Sequence, residues 1–182
     1  MSTIEEYNRE LEACRKVFSA KLRDYGASWR IMRPATLTDQ MFIKAKRIRT
    51  LQSEEARVAE GVAPEFVALV NYGIMALIQL ELEPTVSVDI DAARAEELYD
   101  KHAAATRSLM EAKNHDYGEA WRDMRVSSIT DMILTKLLRN KEIEDNNGMT
   151  LVSEGVDGNY ADIVNYAIFS LIHLTAEDEQ RR

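Results

Sequence analysis

The chain has 182 residues and a formal net charge of −8, with a pI near 5.0, a balance that disfavours a broad electrostatic grip on a nucleic-acid backbone. Its single cysteine, Cys14, excludes an internal disulfide and a cysteine zinc cluster, which fits a reducing, cytoplasmic setting. Three prolines and seven glycines amid abundant Ala, Leu, Glu, Lys and Arg indicate an all-α protein. The N-terminus lacks a signal-peptide pattern and no run reaches the roughly 18 apolar residues of a membrane span, so no membrane partner is expected.

The first predicted helix runs from about Thr3 to Asp24, opened by a capping box of Ser2 with Glu5 or Thr3 with Glu6, and ended by Gly26. The second starts near Thr36, where T-x-x-D puts Asp39 opposite unpaired backbone amides, and fades over Ser53 to Ala59. The third, about Pro64 to Leu82, is apolar on nearly every side and belongs in the middle of a bundle. After a short connection through Pro84, Thr85 and Ser87 the same elements return. They are a helix from about Asp91 to Asp116 closed by Gly118, one from Ser128 with Asp131 near its start, and an apolar one from Gly158 to Ala176.

That return is an internal repeat. KLRDYGASWRIMR (Lys21 to Arg33) matches KNHDYGEAWRDMR (Lys113 to Arg125) at eight of thirteen positions, 92 residues apart. TLTDQMFIK (Thr36 to Lys44) matches SITDMILTK (Ser128 to Lys136) at the same shift. A third block, Val58 to Leu80, matches Val152 to Leu174 at eleven of twenty-three positions with a shift of 94. The expected architecture is a six-helix bundle in one domain. Repeat 1 covers about residues 3–83 and repeat 2 about 89–178, related by a pseudo-two-fold axis. Large apolar helices also make a homodimer an option.

Three groups of residues carry possible chemistry. The block Lys-x-x-Asp-Tyr-Gly-x-x-Trp-Arg occurs as Lys21, Asp24, Tyr25, Gly26, Trp29, Arg30 and as Lys113, Asp116, Tyr117, Gly118, Trp121, Arg122. It reads either as a helix end with core aromatics or as cations for a phosphate beside a ring for a base. Lys44 with Arg47, and Lys136 with Arg139, are three apart on matched helices and share a face. Before the third helix come Glu60 and Glu154; Asp157 and Asp162 follow in the second copy, where the first has Ala63 and Ala68. Asp157 suits an N-cap. Asp162, with Asn165 and Tyr166 on the same face, sits in an apolar helix and needs partners, either across the pseudo-two-fold axis or from a bound metal and ligand. The histidines His102, His115 and His173 have no metal-binding spacing and read as incidental.

The order Lys-x-x-Asp-Tyr-Gly, Lys-x-x-Arg, then Glu and Asp-x-x-x-Tyr resembles DUF1599, the nucleotide modification associated domain 1. The second copy fits it best, through Lys113, Asp116, Tyr117, Gly118, Lys136, Arg139, Glu154, Asp157, Asp162 and Tyr166. The resemblance implies a nucleotide or modified base as substrate class and no defined reaction. A weaker likeness of layout links the chain to all-α nucleoside triphosphate pyrophosphohydrolases, whose acidic helices hold magnesium. The resulting expectation is a nucleotide-binding protein, with a magnesium-dependent nucleoside phosphate hydrolase as its catalytic form. Glu154, Asp157 and Asp162 would hold Mg2+ through oxygen. Lys113, Lys136 and Arg139, with Tyr117, Trp121 and Arg122, would hold the nucleotide. The alternative is a non-catalytic helical interaction module built from the same residues.

Overall fold

A computed structural model describes residues 1–53 and 61–182 of the chain. Among the described residues there is no β-strand, and six α-helices carry the fold. They are α1 (Thr3–Tyr25), α2 (Pro34–Ser53), α3 (Ala63–Leu82), α4 (Ala92–Tyr117), α5 (Val126–Asp145) and α6 (Val156–Arg181). The all-α class and the order of two three-helix units match the sequence reading. Two 3₁₀ turns, Ser28–Ile31 and Ala120–Asp123, were not foreseen; each follows the glycine that ends a first helix. Gly26 (φ +69°) and Gly118 (φ +59°) adopt the positive φ that lets the chain turn there.

The caps explain where the helices begin. Ser2 accepts from the Glu5 amide while the Glu5 carboxylate accepts from the Ser2 amide at 2.7 Å, the reciprocal box expected for α1. Asp91 caps α4 by accepting from the Arg94 amide at 2.8 Å. The second helices, however, start two residues before Thr36 and Ser128, at Pro34 and Val126. Proline already has the helical φ and lacks the amide that a first turn would leave unpaired, so Pro34 opens α2 itself. Asp39 and Asp131 consequently lie beyond the first turn. They pair across the two helices instead, Asp39 with Lys141 at 3.2 Å and Asp131 with Arg49 at 3.8 Å. Likewise Gly155, not Asp157, is the N-cap of α6.

The helices form three layers. α3 and α6 pack on each other in the middle; α2 and α5 lie on one side, and α1 and α4 on the other. By length and composition α3 is apolar enough to cross a membrane, yet it carries Glu65 and Glu81 and 61% of that window is buried inside the fold. At the α3–α6 crossing a Cβ on Gly73 would lie 2.5 Å from Val164 Cγ2. We expect Gly73→Ala to cost about 1–3 kcal/mol by forcing the helices apart, read as a lower midpoint in urea. An unchanged midpoint would mean that the crossing is loosely packed.

Polar bridges repeat across the pseudo-two-fold axis. Tyr7 on α1 donates to Asn165 Oδ1 on α6 at 2.7 Å, and Tyr99 on α4 donates to Asn71 Oδ1 on α3 at 2.8 Å. Each asparagine then donates to a main-chain carbonyl of its own copy, Asn165 to Thr106 and Asn71 to Cys14. The buried asparagines thus find partners across the axis, one of the two options left open for that face. In the outer layer Thr38 donates to Glu144 Oε1 at 2.6 Å, and Gln52 donates to Thr130 at 3.1 Å. Glu144 also accepts from Tyr160 at 3.0 Å.

Burial raises the Glu144 pKa above its ordinary 4.5, more than the hydrogen bonds from Thr38 and Tyr160 lower it. A raised folded pKa means that the native chain holds the proton at a pH where the unfolded chain has lost it. The resulting cost to stability is therefore complete above the folded pKa and disappears as pH falls to 4.5. Glu144→Gln adopts the residue type found at Gln52 and keeps an acceptor. Its melting temperature at pH 7 should equal or exceed that of the wild type, and the gap should close near pH 4.5. A gap that widens on acidification would contradict the buried-carboxylate cost.

Candidate functional site

Helix α4 ends, the chain turns at Gly118, and the 3₁₀ turn brings Trp121 back against α6. This leaves a cleft of about 350 Å3 lined by Met110, Lys113, Asn114, Tyr117, Ala120, Trp121, Met124, Lys136, Asp162, Asn165, Tyr166 and Phe169. Three helices supply its charged groups. Lys113 from α4 reaches Asp162 Oδ1 at 2.6 Å, and Lys136 from α5 reaches Asp162 Oδ2 at 3.0 Å. Asp162 is only 7% exposed, so its place in an apolar helix is explained by two ammonium groups converging on one carboxylate. Burial works against the charge on Lys113, but the Asp162 hydrogen bond, with the nearby Asp162, Glu154 and Tyr166 charges, raises its pKa above the ordinary lysine value. Burial also raises the Tyr166 pKa; Asp162 adds to this, whereas Lys113 and Arg139 oppose it.

The aromatic wall divides into a fixed and a free part. Trp121 is buried, stacks on Phe169 with centroids 4.2 Å apart and planes 2° apart, and carries the Arg122 guanidinium over its ring at 4.5 Å. His173 meets the ring edge-on and contacts the Trp121 carbonyl at 3.1 Å. Trp121 is therefore a packed post. Tyr117, 73% exposed, and the half-buried Tyr166 are the rings with free surface.

Other expected site residues lie elsewhere. Arg122 pairs with Glu6 at 2.6 Å and Glu119 at 3.0 Å, tying the turn to α1. Asp116 is exposed, with His115 as its neighbour at 3.2 Å. Arg139 stands exposed near Tyr166, without a carboxylate partner among the described residues. Of the expected magnesium ligands, Glu154 and Asp157 are exposed and Asp162 has both oxygens on lysines. Among the described residues no three such side chains come together as a metal cage. This donor set does not fit a protein-held Mg2+. Glu60 lies outside the described residues.

The family model of nucleotide modification associated domain 1, DUF1599, matches the chain twice, over residues 21–80 and 113–174. The chain belongs to this family. No curated protein and no solved structure matches it.

The two DUF1599 copies place differently the acid that meets the cation pair of the second helix. Ala68 stands where the second copy has Asp162, and the carboxylate has moved one turn back, to Glu65 on α3. Glu65 meets Arg47 at 2.9 Å and Lys44 at 3.4 Å. In the second DUF1599 copy its position is Asn159, which donates to Asn140 at 2.7 Å, and Asn140 in turn replaces Ile48. Lys21, Asp24 and Tyr25 are exposed, with Tyr25 close to Tyr72. Trp29 is buried, and the carbonyls of Trp29, Arg30 and Met32 accept from Gln79 at 3.2, 2.9 and 2.6 Å. Gln79 thus does for the first DUF1599 turn what His173 does for the second, which corrects the reading of His173 as incidental. Arg30, equivalent to Arg122, is 1% exposed and held by Gln79 and Asp89, the latter at 2.9 Å.

The sequence reading missed Glu65, Gln79 and Tyr7. Carrying the alignment into the first helix would have paired Tyr7 with Tyr99. Glu65 gave no such signal, because its counterpart is an asparagine.

Proposed function

We propose that the second DUF1599 copy binds a nucleoside phosphate in the cleft between α4, α5 and α6. The observation that carries this reading is the convergence of Lys113 and Lys136 on the nearly buried Asp162 in a cleft that Tyr117 and Tyr166 also line, with Arg139 near Tyr166. Two ammonium groups and one guanidinium against the buried Asp162 and the exposed Glu154 leave a local positive excess in an acidic protein, which favours an anion. Asp162 fixes the lysines, Arg139 supplies the forked donor for phosphate oxygens, and Tyr117 with Tyr166 stacks on the base. The family's description, nucleotide modification associated, names the same ligand class. Magnesium would enter with the nucleotide's own phosphates, since the protein carboxylates do not form a cage for it.

Isothermal calorimetry with mono-, di- and triphosphates of each base, with and without magnesium, tests the reading. Saturable binding of at least one nucleotide, quenched or shifted in Trp121 fluorescence, is expected. Heat indistinguishable from buffer across the whole panel would reject it in favour of a helical interaction module.

A further inference from the structure

We propose that the first DUF1599 copy holds a second, latent phosphate site closed by its own carboxylate, Glu65, so that one chain takes one nucleotide. The inference rests on the reading of the second copy and extends it. Lys44 and Arg47 match Lys136 and Arg139, three residues apart on α2 as those are on α5. In the second copy the carboxylate of Asp162 reaches the lysine at 3.0 Å, and the arginine has no acidic partner among the described residues. In the first copy Glu65 takes both cations, Arg47 at 2.9 Å on Oε1 and Lys44 at 3.4 Å on Oε2. Glu65 is 8% exposed, and its Oε2, although beside Lys44, makes no hydrogen bond among the described residues. A carboxylate seated between a lysine and an arginine occupies the place where a phosphate oxygen would sit and brings the same charge. Tyr25 and Tyr72, the counterparts of Tyr117 and Tyr166, are kept in the first copy and lie close to each other. Two changes at one site, loss of the acid at Ala68 and gain of one at Glu65, convert an open cation pair into a closed one.

The test is stoichiometry on the full chain, titrated with the tightest-binding nucleotide of the calorimetric panel. The wild type should bind one equivalent. Glu65→Gln keeps the shape of the side chain and removes its charge; it should bind two. Adding Lys44→Ala and Arg47→Ala to Glu65→Gln should return the count to one. Glu65→Ala serves as the second opening variant should the glutamine chain melt early. Two equivalents on the wild type, or one on both opened variants, would overturn the latent site. A wild type that binds none while Glu65→Gln binds one would instead reject the second-copy site and leave this proposal standing.

Discussion

Replacing Arg139 with alanine should weaken nucleotide binding roughly 10- to 100-fold and leave the melting temperature where it is. A hydrogen bond to a charged group contributes about 1.5–3 kcal/mol, which sets that range. Arg139 is exposed and holds no other acid among the described residues, so its loss removes nothing from the folded chain. The matched change in the other copy, Arg47→Ala, should show the reverse. Nucleotide affinity should stay within about twofold, because Arg47 is engaged by Glu65. Stability should fall by about 1–3 kcal/mol, because a buried carboxylate loses its closest partner. Calorimetry and thermal melts of the two variants side by side check both halves. Equal loss of affinity in both would mean that the two cation pairs are equivalent, and the assignment of the ligand to the second copy would fall.

The second large effect concerns Asp162. Exchanging Lys113 and Lys136 together for methionine keeps most of the side-chain volume and strips both partners from a nearly buried carboxylate. Breaking a buried ion pair from one side costs about 3–5 kcal/mol. The lower end applies here, since Lys113 is 40% exposed and water reaches that edge of the cleft. For a chain of this size, about 3 kcal/mol lowers the melting temperature by roughly 6–12 °C. Adding Asp162→Asn to the pair should restore most of the loss, because the stranded charge is gone. A double variant as stable as the wild type, or a triple variant no better than the double, would show that Asp162 does not depend on the two lysines.

These expectations rest on features that the amino-acid order reveals unequally. Asp162 was legible as an anomaly, an acid inside an apolar helix, and so was its place on one face with Asn165 and Tyr166. What satisfies each of them was not. Lys113 and Lys136 are 49 and 26 positions away, and the choice between lysines and a metal is made by how three helices converge. The six helices and their order followed from periodicity and repetition, and the family from the resemblance carried by the order of its short motifs. Arg30 and Arg122 show the limit: the same residue in the same motif is buried on Gln79 and Asp89 in one copy and surface-bound to Glu6 and Glu119 in the other. Asp39 and Asp131 were misread for a related reason. A capping pattern was present in the letters, but the two helices start two residues before Thr36 and Ser128, at Pro34 and at Val126.

The paired bridges from tyrosine to asparagine match in space and differ along the chain. Tyr99 and Asn71 are 28 residues apart, whereas Tyr7 and Asn165 are 158 apart. Loop-closure entropy grows with the logarithm of the enclosed length, so the longer closure costs about 1.5 kcal/mol more for the same hydrogen bond. Contacts of long sequence separation also form late. The first bridge can close as soon as α4 exists; the second must wait for α6, with α1 held in place meanwhile. Asn165 lines the cleft between α4, α5 and α6. The bridge at that wall of the cleft is therefore completed only when the last helix finds the first.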